Sequence, residues 1–290
     1  MKLLYSLTAH ESVSSILDLC FNLIYVAKAN YLFIHINKES NEVYEKLIKI
    51  IDKNIFLKDT IYITPKRHNT GKNQYKLHLA HLENYKYALE KKFLYDYFIL
   101  EASNTLYVKK GIINHIKDFD VGIGRGKVTG YWEERIYTHK SLEKFFKKYS
   151  VLGRENILQF SVKGVHEGSF YSCSVASKIF FLIERLDKFC YFNNDLAWYP
   201  TEEVWFQIAL ELVSETDNTL KISRTLTYMP WHKQLIWKKK EIMELLVDQK
   251  KLLPDYTFAI KRVDRKFDDP IRKYIGNYFG YRKKVEEIIK

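Results

Sequence analysis

Apolar and polar positions follow two rhythms over the first hundred residues of the chain. Residues 2–7 form a short apolar run that ends in Thr8-Ala9-His10-Glu11-Ser12. Over 12–28, Val13, Ile16, Leu17, Cys20, Leu23 and Ile24 recur at helical spacing. Residues 31–36 read as a buried strand closed by Asn37-Lys38-Glu39-Ser40, 42–52 as a helix, and 60–64 as a third strand stopped by Pro65. Residues 74–91 predict a long helix with Leu77, His78, His81, Leu82, Tyr85 and Leu89 on one side, and 95–100 predict a fourth strand. Strands alternating with helices of this length imply crossover connections. The expected class is therefore α/β, with a mainly parallel mixed sheet flanked by helices. Ligands of such sheets bind beyond the carboxyl ends of the strands, so the segments to search are 8–12, 37–40, 65–73 and 101–107. The second half is less regular, with helices expected over 140–148, 173–187, 201–212, 238–249 and 268–277. With no Pro/Gly/Ser-rich linker and no repeat, one domain is expected over 1–290.

Composition narrows the class of partner. At 290 residues and 47% hydrophobic, the chain can bury a sizeable core without metal or disulfide help, and disorder is excluded. The apolar N-terminus breaks at His10-Glu11 with no small-residue cleavage site, so it reads as a first strand and not as a signal peptide. No apolar run reaches the ~18–20 residues of a membrane-spanning helix. Three cysteines, Cys20, Cys173 and Cys190, lack metal spacing and point to a reducing, cytoplasmic setting. The net charge of +12 favours anionic partners: nucleic acid, a membrane surface or a phosphate-bearing molecule.

Several motifs carry little chemistry. Gly122-Ile-Gly-Arg-Gly126 lacks the Lys-Ser/Thr of a phosphate loop and reads as a Gly-rich turn. Asp118-Phe119-Asp120 has the form of a cation-holding acid pair, but the residues before it are helix-like, so a solvated turn is the better reading. The fourth strand ends in Glu101-Ala102-Ser103, one carboxylate and one hydroxyl, too few oxygens for a hard divalent ion. No metal is therefore expected. His78 and His81 lack the Glu and the third ligand of a zinc site and suit a partly buried helix face.

Two segments of the second half carry more. Pro200-Thr201-Glu202-Glu203-Val204-Trp205 is a helix start with acids in its first turn. Such an acid either complements the helix dipole, worth ~0.3–1 kcal/mol, or serves as a general base that the dipole keeps ionised. Lys261-Arg262-Val263-Asp264-Arg265-Lys266 places four cations in six residues between apolar anchors. That is either a solvated edge or a clamp on a diphosphate, whose departure fixed cations can stabilise without a metal.

With those residues in place, the chain resembles glycosyltransferase family 14, which holds the core-2/I-branching β-1,6-N-acetylglucosaminyltransferases, the peptide O-xylosyltransferases and bacterial relatives. The resemblance runs over roughly 1–275 as ordered segments. They are Tyr5 through Ser12, Tyr31 through Ser40, Tyr95 through Leu106, Gly168-Ser169-Phe170-Tyr171, Pro200 through Trp205, Leu226 through Trp231, and Phe258 through Asp264. It implies a GT-A-type fold, inversion at the anomeric carbon, and basic residues in place of a metal on the nucleotide diphosphate. The family's catalytic base falls on Glu202 and its Arg-Lys pair on Lys261 and Arg262. Asn37 and Asn104 stand where the family has Asp, which bears on ribose or sugar contacts. Lys261 for Arg keeps the charge but not the planar fork.

The resulting expectation is a metal-independent inverting transfer from a UDP-sugar, GlcNAc- or xylose-like, to a hydroxyl of a glycan or lipid-linked glycan acceptor. A nucleotide-sugar-binding half would span 1–120, and an acceptor and catalytic half 121–290. Thr8, His10, Asn37, Lys261, Arg262, Arg265 and Lys266 are expected on the donor nucleotide. Glu101, Ser103, Asn104 and Ser169 are expected on substrate, with Tyr171, Trp205 and Trp231 as an acceptor platform. The basic excess would draw the protein to the inner face of an anionic membrane. The rival readings are a nucleic-acid-binding module, for which no motif is present, and a degenerate transferase fold used as a scaffold.

Overall fold

The computed structural model describes residues 1–70, 77–124, 140–150, 166–189, 201–229, 237–247 and 253–290. Its centre is a seven-stranded sheet built on β1 (Leu3–Ala9). On one side of β1 lie β2 (Tyr31–Ile36) and β3 (Ile61–Ile63), and on the other β4 (Tyr97–Ala102), all four parallel. Beyond β4 come β7 (Phe170–Ser172), antiparallel to it, then β6 (Val121–Gly122) and β8 (Ile222–Ser223). A second sheet of three strands orders β5 (Thr105–Tyr107), β10 (Ala259–Lys261) and β9 (Thr227–Tyr228). All seven residues of β1 are buried, as a central parallel strand covered on both faces requires.

Helices cover each face. One side carries α1 (Val13–Tyr25), α2 (Asn41–Lys53) and the short α3 (Ile55–Lys58), and is closed by α11 (Arg282–Ile289). Ser12 caps α1 by accepting from the Ser15 amide at 3.3 Å, which explains why the helix starts where the sequence predicts. The other side carries α4 (Leu77–Glu90), α6 (Lys140–Tyr149), α7 (Cys173–Phe189) and α8 (Thr201–Thr216). A third apolar cluster binds the small sheet to α9 (Lys239–Val247) and α10 (Pro270–Tyr278), while α5 (Ile112–Ile116) links β5 to β6. Among the described residues, no helix is long and apolar enough to cross a membrane.

The α/β class and the mainly parallel sheet agree with the sequence reading, which does not mark the strands after β4, the second sheet or α3, and which differs in two further places. The fourth strand begins later and runs on to Ala102, because β1 continues far enough to pair Leu7 with Glu101 and Thr8 with Ala102. The helix α11, eight residues long, was not anticipated.

Candidate functional site

Strand order reverses between β1 and β4: the chain leaves β1 toward β2 and β3, then returns to β1's other side. The connections diverge there and leave a crevice beyond the carboxyl ends of the two strands. Thr8, next to last in β1, lies opposite Ala102. Asn37 stands next to it, its amide donating to the Ala9 carbonyl at 3.0 Å and its Oδ1 accepting from the Thr70 amide at 3.1 Å. His10 is half exposed, with Nε2 3.5 Å from Glu11 Oε1. After β4, Ser103 donates through its hydroxyl to Glu11 Oε1.

The basic segment reaches this crevice from far along the chain, Arg265 lying 162 residues beyond Ser103. Pairing of β10 with β5 sets Lys261 opposite Thr105, and the Val263 amide donates to the Asn104 carbonyl at 3.2 Å. Arg265 Nε lies 3.1 Å from Ser103 Oγ and 2.9 Å from Glu11 Oε1. Arg262 takes φ 69°, a left-handed conformation unusual for a side chain of its size. Lys266 is exposed beside a cavity of about 490 Å³ lined also by Ser12, Ser14, Asp264, Asp268 and Asp269. The structure thus gathers Thr8, His10, Asn37, Ser103, Asn104, Lys261 and Arg265 at one sheet edge.

Beneath them lies a buried polar layer that sequence reasoning missed. Lys261 forms an ion pair with Glu167, whose side chain is 6% exposed. Gly168, at φ +70°, carries the chain past β9: a Cβ there would stand 2.3 Å from Thr227 Oγ1 and 2.7 Å from the Thr227 amide nitrogen. Only glycine fits that approach. The Gly168 amide donates to the Leu100 carbonyl at 2.8 Å and its carbonyl accepts from the Leu226 amide at 3.0 Å, so Glu167 is held beside β4. Burial would raise the Glu167 carboxyl, but His166 and the Lys261 ammonium outweigh it and hold it at about 2. His166 and His81 are buried with ring centroids 5.8 Å apart. Burial drives both imidazoles below their usual range, His166 to about 4. His81 Nδ1 lies 2.7 Å from Ser6 Oγ, which accepts from Asn84 Nδ2 at 2.9 Å. The rule that ligands bind beyond the carboxyl ends of the strands brings Glu11 and Tyr107 into the segments 8–12 and 101–107 without giving either a role, and no signal in the sequence marks the 166–167 pair, whose partner Lys261 is distant in the chain.

Several expected site residues are placed elsewhere. Glu101 lies within β4, fully buried, accepting from the Tyr107 hydroxyl at 2.6 Å, so it faces the interior and not a substrate. Ser169 and Tyr171 are fully buried, and Trp205 is 1% exposed in the α4–α7–α8 core. These are packing positions, which corrects the reading of Tyr171 and Trp205 as an open platform: their helical and strand periodicity faces the core. Trp231 lies outside the described residues, as does the side chain of Glu202, whose backbone forms the first turn of α8. Further along α8, Gln207 Nε2 donates at 2.7 Å to the carbonyl of Gly124, two residues past β6.

Asp118 and Asp120 stand at the opposite edge. The Asp120 carbonyl accepts from the Ser172 amide at 2.8 Å, and the hydroxyl of Tyr97, the first residue of β4, donates to the Phe119 carbonyl at 2.8 Å. Gly122, expected in a Gly-rich turn, is instead a strand residue of β6 packed on the Phe170 ring, and Arg125-Gly126 lie outside the described residues. His78 is buried against Asp187 at 3.1 Å. Among the described residues, no three His, Cys, Asp or Glu side chains converge on a metal-sized site.

The buried layer makes a prediction about stability. Burial pushes the Glu101 carboxyl up to about 8 against the Tyr107 hydrogen bond, and the Glu167 charge adds to the rise. The folded state then keeps a proton that the unfolded chain releases near 4.5. The associated stability is present below pH 4.5 and is lost as pH rises through 8, at roughly 1.4 kcal/mol per unit. Glu101→Gln keeps the acceptor for Tyr107 and removes this titration. Its melting temperature should exceed that of the parent at pH 8.5 and converge on it toward pH 5. Parallel melting profiles across that range would contradict the assignment.

No family model matches the chain. It is similar to chondroitin synthase of Pasteurella multocida (strain Pm70), 26% identical over 218 residues, covering 73% of this chain and 22% of that enzyme. It is also similar to hyaluronan synthase of Pasteurella multocida, 29% identical over 164 residues, covering 56% of this chain and 17% of that enzyme. The chain therefore spans about a fifth of the length of these relatives. Among solved structures, 4-diphosphocytidyl-2C-methyl-D-erythritol synthase from Anaerococcus prevotii DSM 20548 covers 86% of this chain and 98% of its own at 9% identity. Its TM-score is 0.39, too low to support an inference.

Proposed function

We propose that this chain is a glycosyltransferase domain that moves a sugar from a nucleoside-diphosphate donor to a hydroxyl of a glycan. The observation that carries the reading is the docking of the 261–266 segment over the crevice between β1 and β4, where Arg265 meets Glu11 and Ser103. Similarity to enzymes named as synthases of chondroitin and hyaluronan, both glycans, supports the same class of reaction.

The finer reading follows the resemblance to glycosyltransferase family 14: a UDP-linked donor, GlcNAc- or xylose-like, used with inversion and without a metal. In it Glu202 takes the proton of the acceptor hydroxyl while the acceptor oxygen attacks the anomeric carbon. The bond to the diphosphate oxygen breaks in line, and its electron pair leaves with UDP. Arg262, Arg265 and Lys261 neutralise that developing charge. The buried acids have a part in this. Glu167 holds Lys261 and Glu11 holds Arg265, so the cations stand in place before the donor arrives and no reorganisation is needed at the moment of reaction. A lipid-linked acceptor on an anionic membrane would make use of the excess of 12 positive charges.

Calorimetric titration with UDP in excess EDTA tests the clamp. The parent should bind, and a Lys261→Ala/Arg262→Ala variant should lose about tenfold or more, the scale of a charge-assisted hydrogen bond. Equal affinity of the two proteins, or binding that appears only with manganese, would contradict it. Glu202→Gln should lower sugar transfer by ~10²–10⁴ while leaving UDP affinity unchanged. If Glu203→Gln showed that loss and Glu202→Gln did not, the base would be the neighbour.

A further inference from the structure

Arg272 sits in the first turn of α10 with only 1% of its side chain exposed, and its guanidinium touches three separate pieces of the molecule. Nε donates at 2.5 Å to the carbonyl of Asp264, inside the basic segment. Nη2 donates at 2.9 Å to the carbonyl of Ser103, in the turn after β4. Nη1 donates at 3.3 Å to Oδ2 of Asp18, a fully buried carboxylate on α1. The two carbonyls belong to the peptides that frame the crevice, and neither joins a sheet ladder.

The geometry has a direct bearing on the cations. The Asp264 carbonyl belongs to the peptide unit that leads into Arg265, so its direction decides where the Arg265 side chain starts. Arg265 Nε then lands on Ser103 Oγ at 3.1 Å, on the residue whose carbonyl the same guanidinium holds. One planar fork therefore registers Arg265 against Ser103 from below. Asp18 fixes the fork in turn, and it is shared with Arg282, whose Nη1 lies 3.4 Å from Oδ1. Arg282 also donates to the Phe267 carbonyl at 2.8 Å and lies 3.4 Å from the Phe267 ring centroid. The far end of the basic segment is thus tied to the same buried carboxylate. A buried ion triad is a poor source of stability compared with apolar packing, and what this one does geometrically is fix the two carbonyls against α1.

We propose that Arg272 is a positioning residue for the diphosphate clamp, setting Arg265 and its neighbours toward the crevice through the Asp264 and Ser103 carbonyls. This rests on the donor-binding reading given above, and it acts on affinity for the diphosphate without touching it. A lysine cannot replace the arginine, because a single ammonium lacks the planar fork that spans two carbonyls and a carboxylate.

The test pairs two measurements on Arg272→Lys. Without nucleotide, amide hydrogen exchange over 262–267 and 103–105 should accelerate at least tenfold, while exchange in β1 and β2 keeps the parent's rate. With UDP, affinity should fall tenfold or more in the parent background and by less than threefold in an Arg265→Ala background, because Arg272 acts through Arg265. Unchanged local exchange overturns the proposal, as does equal UDP affinity or an equal loss in both backgrounds. If the parent itself fails to bind UDP, the donor-binding reading fails, and the exchange arm alone still decides whether Arg272 holds the segment. Should Arg272→Lys not fold, Arg272→Gln takes its place. Failure of both to fold would make Arg272 a stability residue and overturn the proposal.

Discussion

Parallel pairing of β1 with β2 on one side and β4 on the other is the constraint on which the rest of this structure depends. It buries β1 on both faces and sets the loops after β1 and β4 side by side at the crevice beyond the strands' carboxyl ends, where Ser103 meets Glu11. Everything placed at that crevice is held there by contacts distant in sequence. The small sheet brings in Lys261 through β5, and α10 brings in Arg272, whose fork reaches back to the turn after β4. The opposite edge, where Asp118 and Asp120 lie, has no such convergence among the described residues.

Charge at the edge is arranged in pairs. Lys261 meets Glu167, and Arg265 meets Glu11. Asp18 lies between Arg272 and Arg282. Cations spaced this closely would repel and splay without counter-charges, and the acids that prevent this are buried or nearly so. An incoming dianion would meet cations already oriented, and would share Arg265, whose side chain is 44% exposed, with the acid that holds it. Glu101 is the exception in this layer: burial and the nearby Glu167 push it toward the neutral acid, which suits a side chain packed inside a strand.

Much of the fold could be read from the chain because β1, α1 and α4 show in the local pattern as a short apolar run, apolar residues at helical spacing and a long periodic segment, although α4 also buries Glu83 and Asn84 and leaves Leu89 exposed. The density of cations over 261–266 likewise stands out without any structure. What could not be read is pairing across the chain. Ser103 and Arg265 are 162 positions apart, and Ser103 and Glu11 are 92 apart, so no periodicity records their meeting. Glu101 misled the strand boundary because a charged residue normally ends an apolar run. Here the Tyr107 hydroxyl satisfies the carboxyl and lets the strand continue. Tyr171 and Trp205 are ambiguous for a different reason: large aromatic rings serve both sugar stacking and core packing, and only burial separates the two.

On the proposed function, a nucleotide diphosphate lies over the ends of β1 and β4 under the 261–266 segment. A crystal structure of the protein with UDP tests it most directly. Both phosphates should lie within hydrogen-bond reach of Arg262, Arg265 or Lys261, with the nucleoside beside Thr8 and Asn37. Phosphates bound at the other sheet edge, near Asp118 and Asp120, or away from the basic segment altogether, would contradict it.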